Sequence, residues 1–387
     1  MHKYLEELLQ GETVEWKTLG EVCDIKRGRV ISKKDLAENV GDYPVYSSQT
    51  MNNGEIGRIN TYDLDGEYAT WTTDGAYAGT VFYRYGKFSI TNICGLLSPK
   101  NKDILLVKYL VYVLQGIAKN YVHSASGNPK LMSNVVSTIL IPIPSLKTQQ
   151  KIVDILDKLC ELKTALKTER DLRLKQYEYY RDKLLTFGDE VEWKELGEVC
   201  ENTQNIQWNK INSRLTFPYI DLTSVDREKH TILQTININS NDAPSRAKKI
   251  VLEDDVIFAT TRPSQQRYCL IDKNYNNSIA STGYCILRAN KNYIFPKWIL
   301  FLLSSYRFKE YVTKNESGTA YPSISDTLVK EFLIPIPPLE KQKQIIDILD
   351  KLDTYCNSLT SGLPREIELR EKQYQYYRDL LLGFDRE

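Results

Sequence analysis

Hydrophobic positions along this chain follow one pattern twice. After the run Ile141-Pro142-Ile143-Pro144, apolar residues at Ile152, Ile155, Leu159, Leu162 and Leu166 step by 3, 4, 3, 4. After Ile334-Pro335-Ile336-Pro337, residues Ile345, Ile348, Leu352, Tyr355 and Leu359 step identically. This is a short helical heptad seam. The prolines, Pro338 included, forbid helix upstream and give an extended lead-in. The seam resumes at Tyr177, Tyr180 and Leu184, and again at Tyr374, Tyr377 and Leu381. Leu166 and Tyr177 lie 11 residues apart, a stutter that unwinds a supercoil locally. The second copy carries four more residues there and holds Gly362-Leu363-Pro364, where a break is expected. A continuous first helix over 146–186 would span ~60 Å at ~1.5 Å per residue. Two such stripes are most simply buried against each other, as an antiparallel pair. Two independent helices, each capping its own domain, are the other arrangement the pattern allows.

Outside these helices the pattern becomes strand-like, with glycine and asparagine as punctuation. Glu67–Thr72, Thr80–Tyr83 and Val256–Ala259 read as strands, and Leu105–Ala118 and Pro296–Tyr311 as helices. The start of each half is also duplicated. Val14-Glu15-Trp16-Lys17-Thr18-Leu19-Gly20-Glu21-Val22-Cys23 recurs 177 residues later as Val191-Glu192-Trp193-Lys194-Glu195-Leu196-Gly197-Glu198-Val199-Cys200. The Ile-Pro-Ile-Pro run and Ile155-Leu156-Asp157-Lys158-Leu159 recur at an offset of 193, and Lys175–Asp182 at 197. Order is preserved, so the chain is an internal repeat. Between the repeated segments, residues 24–138 and 201–331 look unrelated. A duplicated frame with two different inserts suggests one partner contacted twice and two different things read. Tyr4-Leu5-Glu6-Glu7-Leu8-Leu9 resembles Tyr180–Leu185, the tail of the first helix. Each variable segment thus follows a similar helix end, a pseudo-circular arrangement that would bring the chain ends together. The expected divisions are 1–140 and 188–333 for two small α/β domains, and 141–187 and 334–387 for two helical regions.

At 387 residues the chain exceeds one core. Hydrophobic residues make up 42% and charged residues 26%, an ordinary globular balance that excludes disordered and collagen-like classes. No apolar run approaches a membrane span, and the charged start MHKYLEELLQ lacks a signal peptide's apolar stretch. Seven cysteines with no C-x-x-C pair argue against a disulfide framework or a zinc site. A reducing cytoplasm is the expected location. The net charge of +1 neither demands nor excludes nucleic acid. Lys+Arg against Asp+Glu counts 14 to 13 over 11–140 and 18 to 16 over 191–333. A phosphate-binding surface would therefore need local clustering. Candidates are Lys26-Arg27-Gly28-Arg29, Arg246-Ala247-Lys248-Lys249 and the loop from Arg262 to Arg267. Arginine and lysine amid Gln, Asn, Ser, Thr and Tyr suit base edges and phosphates; solvated loops have the same composition.

Enzyme motifs are mostly absent. There is no G-x-x-x-x-G-K-[ST] loop, no G-x-S-x-G elbow and no H-E-x-x-H. The methyltransferase N-P-P-[YF] motif is missing, and three histidines leave little room for histidine catalysis. The duplicated Glu15-Trp16-Lys17 and Glu192-Trp193-Lys194 could hold Mg²⁺ in a nuclease. Such sites need an upstream Asp, and residues 1–14 contain none. These segments read better as strands that bury tryptophan and turn their charges outward. The cysteines read as reduced core residues.

Two copies of I-P-I-P-x-L…I-x-D-I-L-D-K-L, each followed by K-Q-Y-x-Y-Y-R-D-x-L-L and preceded by V-E-W-K-x-L-G-E-V, carry a specific resemblance. Over its whole length the chain resembles the specificity subunit of a type I restriction–modification system. Ser317-Gly318-Thr319-Ala320-Tyr321-Pro322 matches a loop that ends such domains, whereas the first copy departs from it with Ser126-Gly127-Asn128-Pro129-Lys130. The resemblance implies a mixed α/β fold: two target recognition domains separated by an antiparallel coiled-coil spacer. Each domain would read one half of a bipartite, asymmetric sequence in double-stranded DNA. The helices would set the gap and dock two methyltransferase subunits, which carry S-adenosylmethionine. Up to two ATP- and Mg-dependent restriction subunits would join. The chain itself would hold no cofactor or metal and catalyse nothing.

Expected DNA contacts in the first domain are Lys26, Arg27, Arg29, Ser47, Ser48, Gln49, Asn53, Trp71, Thr72, Thr73 and Lys130. In the second they are Arg246, Lys248, Arg262, Ser264, Gln265, Gln266, Arg267, Thr319 and Tyr321. The expected subunit interface is Ile152, Ile155, Leu159, Tyr177, Tyr180, Ile345, Ile348, Leu352, Tyr374 and Tyr377. A protein-interaction scaffold without DNA binding, and a nuclease built on the E-x-K steps, are the competing readings.

Overall fold

The computed structural model describes residues 3–124, 127–358 and 361–385. Ser126 of the first loop and Leu359 of the second seam lie outside them. The chain forms two compact units, one of Met1–Ala165 with Ile367–Glu387, the other of Leu166–Glu366.

In the first unit α1 (Lys3–Leu9) and β1 (Glu15–Thr18) lead into α2 (Leu19–Val22), β2 (Cys23–Arg27), α3 (Lys33–Glu38) and β3 (Val40–Tyr46). Then come β4 (Glu55–Ile59), β5 (Leu64–Thr72), β6 (Val81–Ile90), β7 (Cys94–Pro99), α4 (Val107–Ile117), α5 (Ser133–Ser137) and β8 (Leu140–Ile143). A sheet of order β2-β7-β5-β6-β3-β4 carries the domain, with β3 and β6 parallel. Its inner face buries Trp71, Ala69 and Leu97 against Leu110 and Leu114 of α4. Gly95 admits Trp71 so closely that a Cβ there would stand 2.3 Å from the indole.

Helix α6 (Leu146–Leu184) runs unbroken for 39 residues, as the stripe and the missing prolines require. Its first part belongs to the first unit and the rest to the second. The second unit continues with β9 (Glu192–Glu195), β10 (Cys200–Glu201), β11 (Phe217–Ile220), β12 (Ile236–Ile238), β13 (Ala247–Val251) and β14 (Val256–Ala259). It ends with β15 (Tyr268–Leu270), β16 (Ser278–Ser281), β17 (Tyr284–Ala289), α7 (Pro296–Ser304), α8 (Tyr306–Asn315), α9 (Asp326–Lys330), β18 (Leu333–Ile336) and α10 (Leu339–Asn357). The helix expected over Pro296–Tyr311 is two helices, because Ser305 caps the second by accepting from Phe308 N. Helix α11 (Leu363–Leu381) starts anew after the expected break, at Gly362 with φ 133°. From Ile367 onward it belongs to the first unit.

The repeat is kept to the hydrogen bond. β1 pairs with β8 from Glu15↔Ile143 to Thr18↔Leu140, and β9 with β18 from Glu192↔Ile336 to Glu195↔Leu333. Gln149 is fully buried; its Oε1 accepts from Leu106 N, and its Nε2 donates to the Ile104 and Pro144 carbonyls. Gln342 does the same with Phe295 N and the Tyr293 and Pro337 carbonyls. Lys108–Asp157 (2.6 Å) matches Lys297–Asp350 (2.5 Å).

Within each unit α6 has an antiparallel helical neighbour. In the first, Lys163 meets Glu371 and stands over the Tyr374 ring. In the second, Arg170 donates to the Cys356 carbonyl and Tyr355 to Glu169. The first unit's core holds Leu5 and Leu9 of α1 together with Tyr374, Leu381 and Phe384. Both chain ends therefore meet in one core, as the helix-end similarity implied. The repeat partners Tyr177 and Leu184 pack into the second unit's own core.

Candidate nucleic-acid interface

The two variable segments look unrelated in sequence, yet one backbone frame builds both. In the first unit Thr73 N and Oγ1 both donate to the Ile93 carbonyl, Leu131 N donates to Thr73 O, and Gly75 N to Pro129 O. In the second, Thr260 N and Oγ1 both donate to Gly283 O, Ile324 N to Thr260 O, and Arg262 N to Pro322 O. Gly75 (φ 95°) and Arg262 (φ 51°) hold equivalent left-handed positions, and so do Gly127 (φ 97°) and Gly318 (φ 96°). The sheets correspond too. β3 runs parallel to β6, and β11 parallel to β16. The single strand β6 of the first unit is split into β15 and β16 in the second, so one six-stranded sheet becomes two of four.

This frame decides which expected contacts are free to reach outward. Ser47 is buried and shares a 2.9 Å hydrogen bond with Thr91 Oγ1. Trp71, Thr72 and Thr73 are buried; the indole donates to Leu131 O, and both hydroxyls donate to backbone carbonyls. These four shape the loops from within. Gln49, Asn53 and Lys130 are exposed, and Ser48 is half-buried. Exposed Arg27 reaches Ser133 and Met132 beside Lys130, while Arg29 is held by Asp63 at 2.9 Å. Lys26 is exposed on β2.

In the second unit Arg262, Ser264, Thr319 and Tyr321 are exposed, and the Arg262 guanidinium lies 5.1 Å from the Tyr321 ring centre. Gln265 and Gln266 are half-buried, and Gln266 donates to Pro263 O. Arg246, just before β13, and Lys248 on it are exposed. Arg267 is spent internally: its Nη1 donates to the Leu222 and Val225 carbonyls and its Nε to Gln265. Both ends of the Arg262–Gln266 turn are left-handed non-glycine residues, strain of the kind that gathers where loops have a task. Beside the expected contacts, Met51 and Asn52 in the first unit and Arg227 and Lys229 in the second are also exposed, and Arg84 is buried on β6. Arg84 had left a signal, a lone charge in the aromatic strand Phe82-Tyr83-Arg84-Tyr85.

His230 closes the loop after β11. It stacks on Tyr268 at 3.9 Å, and its Nδ1 finds no hydrogen-bond partner. Burial pushes its pKa down to about 4, against the pull of Asp226. A free histidine titrates near ~6.5, so the unfolded chain takes up this proton first as pH falls. The stabilisation is complete above ~6.5 and is lost toward about 4, at up to ~1.4 kcal/mol per pH unit. Urea unfolding across that window is expected to show this slope, and His230→Gln to flatten it.

On the helices, the expected interface residues divide by burial. Ile152, Tyr177, Ile345 and Tyr374 are buried in their own units. Ile155, Leu159, Leu352 and Tyr377 are half-buried, and Tyr180 and Ile348 are exposed. The stripe is wider than a two-helix seam because α6 also packs on its own domain, through Val153 and Leu156. Part of what remains outside is itself duplicated. Tyr179 and Tyr376 are 61% and 57% exposed, and each stands edge-on to its neighbouring tyrosine. Leu172 and Leu369 are likewise exposed at equivalent positions. Each E-x-K step is an ion pair with itself, Lys17–Glu15 and Lys194–Glu192. Among the described residues no group of three or more His, Cys, Asp or Glu is placed to hold a metal. Nor is any helix of the described residues long and apolar enough to cross a membrane. All seven cysteines are free, and burial pushes the repeat partners Cys23 and Cys200 up to about 12.

The family described as the type I restriction modification DNA specificity domain matches the chain twice, over residues 11–176 and 188–369. A Mycoplasma pneumoniae protein named as a candidate type I specificity subunit is 35% identical over 369 residues, covering 93% of this chain and 95% of that protein. The specificity subunit of the type I restriction enzyme MpnII, from the same organism, is 43% identical over 188 residues, 47% of this chain and 56% of its own length. Among solved structures, the S subunit of a type I restriction–modification system from M. genitalium aligns with a TM-score of 0.57 at 16% identity, covering 97% of this chain and 98% of that one. A chain from work on complex assembly and conformational transition of the type I system aligns at 0.62 and 16% identity, covering 95% and 97%. At that identity the two structures speak for the fold, two domains with a helical spacer.

Proposed function

The chain belongs to the type I restriction–modification DNA specificity family, and from that premise we propose that its two units each read one half of a split, asymmetric DNA sequence. Specificity subunits are non-catalytic DNA-recognition components of such systems, and they work in assembly with other subunits. The observation that carries the finer reading is the shared backbone frame with different exposed side chains. Gly75 and Lys130 hold in one unit the places of Arg262 and Ser323 in the other. One docking geometry is thus offered twice with two sets of base-edge groups. The reading domains are 1–140 and 188–333, and the helical regions 141–187 and 334–387 set the gap between half-sites. Two methyltransferase subunits that hold S-adenosylmethionine dock on the duplicated helical surface. Up to two ATP- and Mg-dependent restriction subunits join them, in the cytoplasm, and this chain contributes no cofactor.

The test is to co-express the chain with its methyltransferase subunit and map methylated adenines in the host DNA. A split motif with a fixed unread gap is expected. Methylation without a split motif would confine reading to one unit; a stable complex with no methylation would defeat the DNA reading. Helix length should tune the gap. Four residues inserted after Leu166 add ~6 Å of helix, so the unread gap should grow by about one or two base pairs. An unchanged gap in that variant would sink the spacer role.

A further inference from the structure

Resting on the reading that each unit presents loops to one half-site, we infer that Arg84 and Arg267 are positioning residues, each fixing the reading loop of its own unit from beneath. Arg84 projects from β6 and is 3% exposed. Its guanidinium lies 3.6 Å from the Tyr46 ring centre and 4.5 Å from that of Phe82. Its Nε donates to Thr70 Oγ1 and its Nη2 to the Asn53 carbonyl at 2.7 Å, while Nη1 is buried without a partner. A buried guanidinium that bonds a hydroxyl and a carbonyl, but no carboxylate, is costly to keep. What it holds is a strained turn. Asn52, Asn53 and Gly54 are successively left-handed, at φ 47°, 53° and 81°, a run that L-residues resist. A Cβ on Gly54 would stand 3.0 Å from Arg84 Nη2, so the turn rests directly on the guanidinium. Met51, Asn52 and Asn53 are displayed outward from it.

Arg267 does this work in the second unit from a different position. It immediately precedes β15, which holds the place of the first part of β6: Phe258↔Tyr268 corresponds to Trp71↔Val81. Its Nη1 gathers the Leu222 and Val225 carbonyls at 2.7 and 3.0 Å. Those residues open the loop after β11, as residues 47–54 form the loop after β3. That loop carries Arg227 and Lys229 outward, and the Arg267 Nε bond to Gln265 ties it to the Arg262–Gln266 turn. The two arginines are not repeat partners, so the duplication did not hand down this arrangement. Each unit has its own brace, under the loop that follows the same strand. The planar fork, which stacks and donates in fixed directions, suits the task; a lysine's point charge does not.

The experiment uses the full chain co-expressed with its methyltransferase subunit, and reads the methylated sequences position by position. The wild type must first yield a split motif; if it does not, the functional reading has failed and not the brace. Arg84→Met is expected to lower discrimination roughly tenfold at bases of one half-site, the scale of a lost base contact, and to leave the other half sharp. Arg267→Met should do the converse. Arg84→Lys and Arg267→Lys keep charge and bulk and should blur the same halves less. If a methionine variant loses methylation at every sequence, the lysine variant decides by the same criterion. Variants that leave both halves sharp, that blur both alike, or that blur the same half as each other would overturn the proposal.

Discussion

Replacing Gln149 by leucine is expected to cost about 3–5 kcal/mol, near the upper end of single substitutions. The side chain is fully buried and satisfies three backbone groups, Leu106 N and the Ile104 and Pro144 carbonyls. Leucine fills much the same volume and pairs with none of them. Each group left unpaired costs ~1–3 kcal/mol. The loss is local to the junction where the extended Ile-Pro-Ile-Pro strand turns into α6 and α4 begins. Gln342→Leu should cost a similar amount in the second unit, where Phe295 N and two carbonyls lose the same partner. Urea unfolding of the purified chain measures both. Gln150, exposed and bonded only to Asp154, is the control, and Gln150→Leu should change stability by less than ~0.5 kcal/mol. Buried variants no worse than the control would remove the glutamines from the frame.

The second large effect falls on assembly. Tyr179→Ala is expected to release one methyltransferase subunit and Tyr376→Ala the other, each weakening its contact by about 2 kcal/mol or roughly thirtyfold. Both rings are exposed, stand edge-on to a neighbouring tyrosine at similar angles, and occupy equivalent places on the repeat, with Lys183 also standing over the Tyr179 ring. A large exposed aromatic on a duplicated helix matches the residue type that dominates interface energetics. Native mass measurement of the complex reads the outcome directly. Two partner copies should fall to one in either single variant, and to none in the double. Chain stability should stay unchanged, because neither ring enters a core. Two copies retained in the double variant would place docking elsewhere.

The helices were legible in the sequence because their signal is periodic and local. Ile152, Ile155 and Leu159 mark α6, and Gly362 marks the break before α11. The inner and outer faces were less legible. A 3,4 step puts Tyr177 and Tyr180 on one stripe, yet one is buried and the other 41% exposed, since the helix has a domain on one side as well as a helix. The likeness of the variable segments was readable only at the loop of Gly127 and Gly318. It is carried by backbone hydrogen bonds of Thr73 and Thr260 and by left-handed positions that glycine fills in one unit and arginine in the other. Backbone geometry of that kind leaves almost no residue signature. Composition could not separate buried from exposed candidates: Thr72 and Thr73 have the right chemistry for a base edge and are buried, and Arg84 is a charge buried inside a strand.

The membership of α11 has a consequence for how the protein is made. A ribosome delivers residues 166–366, the whole second unit, before it delivers Tyr374, Leu381 and Phe384, which the core around Leu5 and Leu9 requires. Domains tend to fold as they emerge, the N-terminal one first. Here the order is reversed: the unit encoded first is completed last, and its apolar surface waits on the closing helix. A nascent chain halted near residue 366 would release a finished second unit and an open first one, a ready substrate for chaperones and proteases.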